Sequence, residues 1–320
     1  MNTVPLMSVV INTYNYGQYI NQAIDSALAQ VFPTGEWEII VVDDGSTDDT
    51  SIRIGEYRDR ITYLHKTNGG QASAFNAGVA VARGDIICIL DADDYFYPNK
   101  LREVYAEFEK HPDIGIVYNR FDVVNESGDI LVEAIPPNLK RGDLSGRTLL
   151  GFVVGSPSSG MSVLRRVLTS IKIPEEPFRI SADYFYLNIL PLVAKVGIVN
   201  TPLHAYRKHD SNSYLKKSDT DRQELHAHQK DAVWGYAERE LGRKFFSAMH
   251  ELTVEGRNLA PNVHMQIWVS GLRYLQQVNA PSSLKLWSLA KMTTRMIIPW
   301  QIFLRIVTWR NRVFGQTLRY

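Results

Sequence analysis

From Ser8 to Tyr118 the chain alternates short, often β-branched apolar runs with segments whose apolar residues recur at helical spacing, and few architectures accommodate that alternation. Ser8 to Asn12 is one such run. After the polar turn Asn15-Tyr16-Gly17, residues Ile20, Ala23, Ile24, Ala27 and Leu28 form a helical stripe. Trp37 to Val42 reads as a second strand, and Ser46 with Asp49 three residues on has the form of a capping box opening a second helix. Ile61 to His65 is a third strand, Gln71 to Ala82 a helix entered through Gly69 and Gly70, and Asp85 to Leu90 a fourth strand. A helix from Asn99 to Lys110 follows Pro98, a residue suited to a first turn, and Ile114 to Tyr118 is a fifth strand. Parallel strands need helical crossovers, so this order predicts an α/β fold with a mostly parallel sheet covered on both faces.

From Asp122 to Ile180 the periodicity loosens around Pro136, Pro137, Pro157, Pro174 and Pro177, which suits loops that shape a site. Ala182 to Ala194 is helical in pattern, Val196 to Asn200 a strand, and Tyr206 to Tyr214 polar and irregular. Beyond Ser218 the segments 221–243, 245–255, 263–277 and 284–310 all carry helical periodicity. The expected organisation is an α/β domain over 1–212 and a C-terminal α-helical extension over 213–320. Cys88 is the single cysteine and sits in an apolar run, which excludes a disulfide scaffold and fits a reducing compartment. The N-terminus lacks the basic and apolar regions of a secretory signal, and no uncharged apolar stretch is long enough to span a bilayer, so a cytoplasmic location is expected.

Carboxylates mark the ends of the strands. Asp43 and Asp44 follow the second and Asp91, Asp93 and Asp94 the fourth, on the rim where open α/β sheets bind ligands. Individually each suits a turn or a helix cap. Together they repel, and a hard divalent cation such as Mg²⁺ or Mn²⁺ would relieve that repulsion while keeping positions open for substrate phosphate.

Four segments then resemble, in order, the motifs of family 2 glycosyltransferases: Ser8-Val-Val-Ile-Asn-Thr-Tyr-Asn15, Val41-Val-Asp-Asp-Gly-Ser-Thr-Asp48, Asn68-Gly-Gly-Gln-Ala-Ser-Ala-Phe-Asn-Ala-Gly78 and Gly84-Asp-Ile-Ile-Cys-Ile-Leu-Asp-Ala-Asp-Asp94. The resemblance spans roughly the first 210 residues. It implies a Rossmann-like nucleotide-sugar-binding domain of the glycosyltransferase A type, a divalent metal, and inversion at the anomeric carbon. Asn12 stands where one familiar form of the first motif has proline, a change that removes no reactive group. On this resemblance Thr13, Tyr14, Asn15, Asp43, Asp44, Gln71, Asp91 and Ala92 line the nucleotide-sugar pocket. Asp93 is the first choice for a direct metal ligand, with Asp91 and His209 beside it. Ser158, Ser159 and Gly160 lie on the acceptor side. Asp183, in Ile180-Ser-Ala-Asp-Tyr-Phe185, is the expected base that takes the acceptor's proton; its plainer role is first-turn helix electrostatics. Arg207 and Lys208 are expected to neutralise phosphate, and the backbone N–H groups at Gly69, Gly70 and Gln71 to approach the donor. His226 and His228 point to different helix faces and do not suit zinc.

The implied reaction moves a sugar from a UDP- or dTDP-sugar to a hydroxyl of a saccharide or lipid-linked acceptor in cell-surface polysaccharide synthesis. A nucleotidyltransferase would need a glycine-rich basic phosphate loop, which Thr13-Tyr-Asn-Tyr-Gly17 does not supply. A third reading is a catalytically idle sugar-nucleotide-binding assembly protein, against which the retention of Asp91, Asp93 and Asp183 argues. Nucleic acid is not an expected partner at a net charge of +1. That total divides at Glu255 into −8 before it and +9 after it, since the last 65 residues hold nine Lys and Arg and neither Asp nor Glu. With Trp268, Trp287, Trp300 and Trp309 in the same stretch, residues 256–320 suit peripheral docking on an anionic membrane's inner face; packing on the catalytic domain or a second subunit is the alternative.

Overall fold

Strand β1 (Met7–Thr13) is buried at every position because it lies between two parallel neighbours, β2 (Trp37–Asp43) and β4 (Ile86–Asp91), which explains its continuous rather than alternating apolar sequence. The computed structural model describes residues 7–32, 36–145, 148, 155–212 and 217–241 of the 320-residue chain. On the outer side of β2 lies β3 (Thr62–His65), parallel and partly exposed. The described sheet continues past β4 through β5 (Tyr95–Phe96), β6 (Ile114–Val124), β7 (Ile130–Ile135), β8 (Met161–Leu164) and β9 (Lys195–Arg207). Its order is β3-β2-β1-β4-β8-β6-β9-β5, with β7 paired to β6. The first four strands are parallel, β8 runs antiparallel between β4 and β6, and β6 and β9 are parallel again. The expected mostly parallel mixed sheet is what the chain forms.

Helices α1 (Gly17–Leu28), α2 (Thr50–Gly55), α3 (Gln71–Val81) and α4 (Lys100–Lys110) connect these strands. The α1 stripe, Ile20, Ala23, Ile24 and Ala27, packs with Val9, Ile11, Cys88, Leu90 and Leu101 in one apolar core. Cys88 is a buried free thiol, as its sequence position suggests. Helix α3 rests so closely on β1 that a Cβ at Gly78 would come 2.4 Å from Val10 Cγ1. After the short α5 (Arg165–Leu168) come α6 (Ala182–Val193), β9 and α7 (Asp219–Tyr236).

Several local expectations change. Strand β6 runs on to Val124, and β9 takes in Tyr206 and Arg207, which the sequence pattern leaves irregular, because each is the other's parallel partner over most of its length. The capping box does not form: Asp49 occupies the N-cap without a side-chain capping bond, its carboxylate accepting from Arg53 Nε, while Ser46 Oγ accepts from Asn15 N–H and Asp48 Oδ1 accepts from Thr50 N–H. Helix 221–243 appears as α7 followed by a π-helical turn, Ala237–Leu241. The other C-terminal helical segments and the basic, Trp-bearing stretch lie outside the described residues. The chain divides into two compact units, Met1–Thr148 with Phe152–Val233, and Leu149–Gly151 with Trp234–Tyr320. No helix among the described residues is long and apolar enough to cross a membrane.

Candidate active site

Parallel register brings the strand ends together. Thr13 stands beside Asp43, Asn12 beside Asp91, and Asp43 beside His65, so the motif residues share one rim of the sheet. Asn15, in a left-handed conformation at φ 57°, fastens two of these ends. Its N–H donates to Ser46 Oγ at 2.9 Å, and its Oδ1 accepts from Thr47 N–H at 2.7 Å. Tyr14 is 45% exposed at the mouth, whereas Thr13 is buried and its Oγ1 has no partner among the described residues.

Asp43 and Asp44 sit side by side in different settings. Fully buried Asp43 accepts from Ser46 N–H at 2.8 Å and Tyr63 O–H at 2.9 Å. Asp44 accepts from Lys66 Nζ at 2.6 Å, Gly69 N–H at 3.0 Å and Gly70 N–H at 2.6 Å. Those glycine amides, expected to face the donor, are thus committed to Asp44, and Gln71 N–H is committed to Arg179 O. The exchange has a physical logic: an internal carboxylate satisfies the unpaired donors at the start of α3. Glycine is required at position 70, where φ is +88° and a Cβ would lie 2.5 Å from Arg179 Cα.

The fourth strand delivers the acidic turn. Asp91 Oδ1 accepts from Asn12 Nδ2 at 3.0 Å and Gln71 Nε2 at 3.3 Å. Ala92 is buried, its N–H on Asn12 O. Asp93 Oδ2 lies 3.1 Å from both His209 Nε2 and Asn212 Nδ2. The His209 ring lies between Asp93 on its Nε2 side and Ser211 on its Nδ1 side, with its imidazole against the Tyr16 and Tyr19 rings. Asp94 is tied to Ser159 Oγ at 2.6 Å and Arg207 N–H at 2.9 Å. Ser158, Ser159 and Gly160 form a buried 3₁₀ turn against these carboxylates, and Ser159 Oγ also accepts from Asp91 N–H.

Arg207 does not present its guanidinium to a phosphate. It donates to Asp93 O, Glu126 O and Gln22 Oε1 and lies over the Tyr19 and Tyr95 rings, which makes it an internal brace. Lys208 is exposed. Asn12, Asn212, Tyr63 and Lys66 are the site-forming residues that sequence reasoning missed. Asn212, inside the polar segment already marked by His209, was the most findable.

Electrostatically the cluster is short of positive charge. Burial first, then the charges of Asp93 and Asp183, push Asp91 up to about 7, against its hydrogen bond from Asn12. Asp94 is raised well above its ordinary value by burial and by Asp93 and Asp91. Asp183, half-buried on the first turn of α6, is raised by burial. Folded chain therefore retains the Asp91 proton to about pH 7, where unfolded chain has released it near 3.8, so this group's stabilisation is lost as pH rises through that window. In EDTA, Asp91→Asn should gain several degrees in melting temperature on the wild type between about pH 5 and about pH 8, and Mn²⁺ should reverse the order. Thermal unfolding followed by circular dichroism measures both; parallel pH profiles of the two proteins would contradict the expectation.

A divalent metal fits this donor set. Among the described residues no three His, Cys, Asp or Glu side chains gather into a ligand group, since Asp93 meets His209 while Asp91 is held by Asn12 and Gln71. Hard divalent ions commonly take only one or two carboxylates and complete their shell with phosphate oxygens and water, however, and crowded carboxylates held by neutral donors suit that mode.

Comparison with known proteins places this architecture among relatives. Residues 8–170 match the model of "Glycosyl transferase family 2". An uncharacterized glycosyltransferase of Nostoc sp. is 32% identical over 228 residues, covering 68% of this chain and 70% of that protein. The hyaluronan synthase of Pasteurella multocida is 38% identical over 134 residues, 41% of this chain but only 14% of the synthase. The chain likewise spans 40% of a Rickettsia prowazekii glycosyltransferase. Among solved structures, S. aureus TarS 1-349 in complex with UDP-GlcNAc aligns with a TM-score of 0.55 at 18% identity, over 98% of this chain and 93% of that one.

Proposed function

The chain belongs to glycosyl transferase family 2 and is a glycosyltransferase, and from that premise we propose a metal-dependent, inverting transfer from a UDP-sugar to an acceptor hydroxyl. The observation that carries this reading is the link between the acidic rim and the start of α6: Gln71 donates from Nε2 to Asp91 Oδ1 at 3.3 Å and accepts on Oε1 the N–H of Ala182, the residue before Asp183, at 2.8 Å. The nucleotide would lie across Thr13, Tyr14 and Asn15. Asp43 is the better partner for its base, because Asp44 is already taken up by Lys66 and two glycine amides, whereas Asp43 keeps acceptor capacity beyond Ser46 and Tyr63.

Asp93, with Asp91 adjacent, would hold Mn²⁺ or Mg²⁺ against the diphosphate, and a bound ion would supply charge neutralisation of the leaving group. Asp183 takes the proton from the acceptor hydroxyl as that oxygen attacks the anomeric carbon from the face opposite the departing nucleoside diphosphate. Its raised affinity for protons, caused by burial, suits a base at neutral pH. The Ser158–Gly160 turn would border the acceptor. S. aureus TarS 1-349 has been solved in complex with UDP and with UDP-GlcNAc, which favours a uridine donor over dTDP. A saccharide or lipid-linked acceptor fits the basic, Trp-bearing residues 256–320, which would meet an anionic membrane surface. The test is a thermal-shift panel of nucleoside diphosphates and UDP- and dTDP-sugars with Mn²⁺. A selective rise with one UDP-sugar is expected, and no shift with any uridine nucleotide would sink the proposal.

A further inference from the structure

Asp183 follows Ser181 by two residues, and Ser181 adopts a left-handed backbone, φ 57° and ψ 45°, to turn the chain into α6. That conformation is unfavourable for a non-glycine residue and persists only where neighbours hold it. Two glutamines from distant parts of the chain do so. Gln71 N–H donates to Arg179 O at 2.9 Å, Gln71 Oε1 accepts from Ala182 N–H at 2.8 Å, and Gln71 Nε2 reaches Asp91. From the other side Gln229, fully buried on α7, donates from Nε2 to Pro177 O at 3.1 Å and Ile180 O at 2.7 Å. Its Oε1 has no partner among the described residues, so the two donated bonds alone orient the amide. One turn earlier, the His226 ring meets Tyr184 edge-on at 5.4 Å. Helix α7 therefore contacts both the entry loop and the first turn of α6. Burial drives the Asp183 carboxyl upward, and the Tyr184 N–H it accepts opposes that drive.

We propose that Gln229 and Gln71 together are positioning residues that clasp the Pro177–Ala182 loop and set the Asp183 carboxylate relative to Asp91, which makes α7 part of the catalytic unit. This rests on Asp183 as the base. Gln71 joins Asp91 to Ala182, and Gln229 stops the same loop from sliding along α7, so loss of either bond set frees the approach of Asp183 to an acceptor. A displacement of about 1 Å in such an approach costs on the order of 10²-fold in rate.

The test uses the full chain with Mn²⁺ and compares Gln229→Met, which keeps volume and loses both bonds, with Gln229→Glu, which sets an acceptor against two carbonyls. Hydrogen exchange should quicken in residues 178–186 and stay unchanged in β1 and β2. UDP affinity, by calorimetry, should hold within about twofold, while UDP release from UDP-GlcNAc falls about 10- to 100-fold and further in Gln229→Glu. Unchanged exchange at 178–186 overturns the proposal. So does a loss of rate that merely follows lost UDP affinity and melting temperature, since that marks general destabilisation. A wild-type chain that releases no UDP from the donor would count against the donor reading instead, and the exchange data would still decide the clasp.

Discussion

Asp183→Asn is expected to fold, bind UDP with wild-type affinity, and transfer about 10²- to 10⁴-fold more slowly than the wild type. Asn keeps the shape of the side chain and can accept Tyr184 N–H as Asp183 Oδ1 does at 3.0 Å, so α6 should start unchanged. What disappears is the ability to take a proton. The loss should therefore fall on kcat, with little change in the KM for the donor, and the pH dependence of the remaining rate should lose its acidic limb. Steady-state kinetics with the donor identified by thermal shift would measure this. A variant that transfers at the wild-type rate while binding UDP would remove Asp183 from the base role.

The second large effect belongs to Asp93. Asp93→Ala removes the carboxylate that His209 and Asn212 converge on and leaves both polar groups facing each other in a buried place. Donor turnover should fall by about 10²- to 10³-fold, the range for losing one preorganised group that stabilises developing charge, as when an oxyanion-hole donor is removed. The more specific readout is the metal. UDP should bind the wild type more tightly in Mn²⁺ than in EDTA, and that difference should vanish in the variant. Arg207 would still brace the turn through the backbone carbonyl of residue 93, so the fold should survive. Undiminished Mn²⁺ enhancement of UDP binding would exclude Asp93 as the principal ligand.

Much of the parallel half was legible because its physics is local. A strand buried on both faces needs an unbroken apolar run, and Val9–Ile11 and Ile86–Leu90 supply it; a helix packed on one side must repeat at helical spacing, and Ile20 to Leu28 does. The acidic rim could be read because polar residues at the ends of such strands have one place to go. The second half of the sheet was less visible. Nothing within Ile114–Val124 announces that its partner begins eighty residues on at Lys195, and Tyr206 and Arg207 look irregular until β6 supplies their ladder. Side-chain partnerships were the least legible. Arg207 reads as a phosphate ligand by composition, yet its donors are consumed inside the fold, and the glycines before α3 read as donor-facing until Asp44 is seen occupying them.

The Arg207 brace also sets a timetable. Its guanidinium closes on Gln22, 185 residues earlier in the chain, so the rim near Asp93 stays unfinished until β9 has been made and laid beside β6. A ribosome adding about 5–20 residues each second leaves the nascent parallel half waiting on the order of ten seconds for that closure. During the wait, strands β4 and β6 lack the later strands that lie between and beside them, and their exposed edges are the surface a chaperone would need to cover.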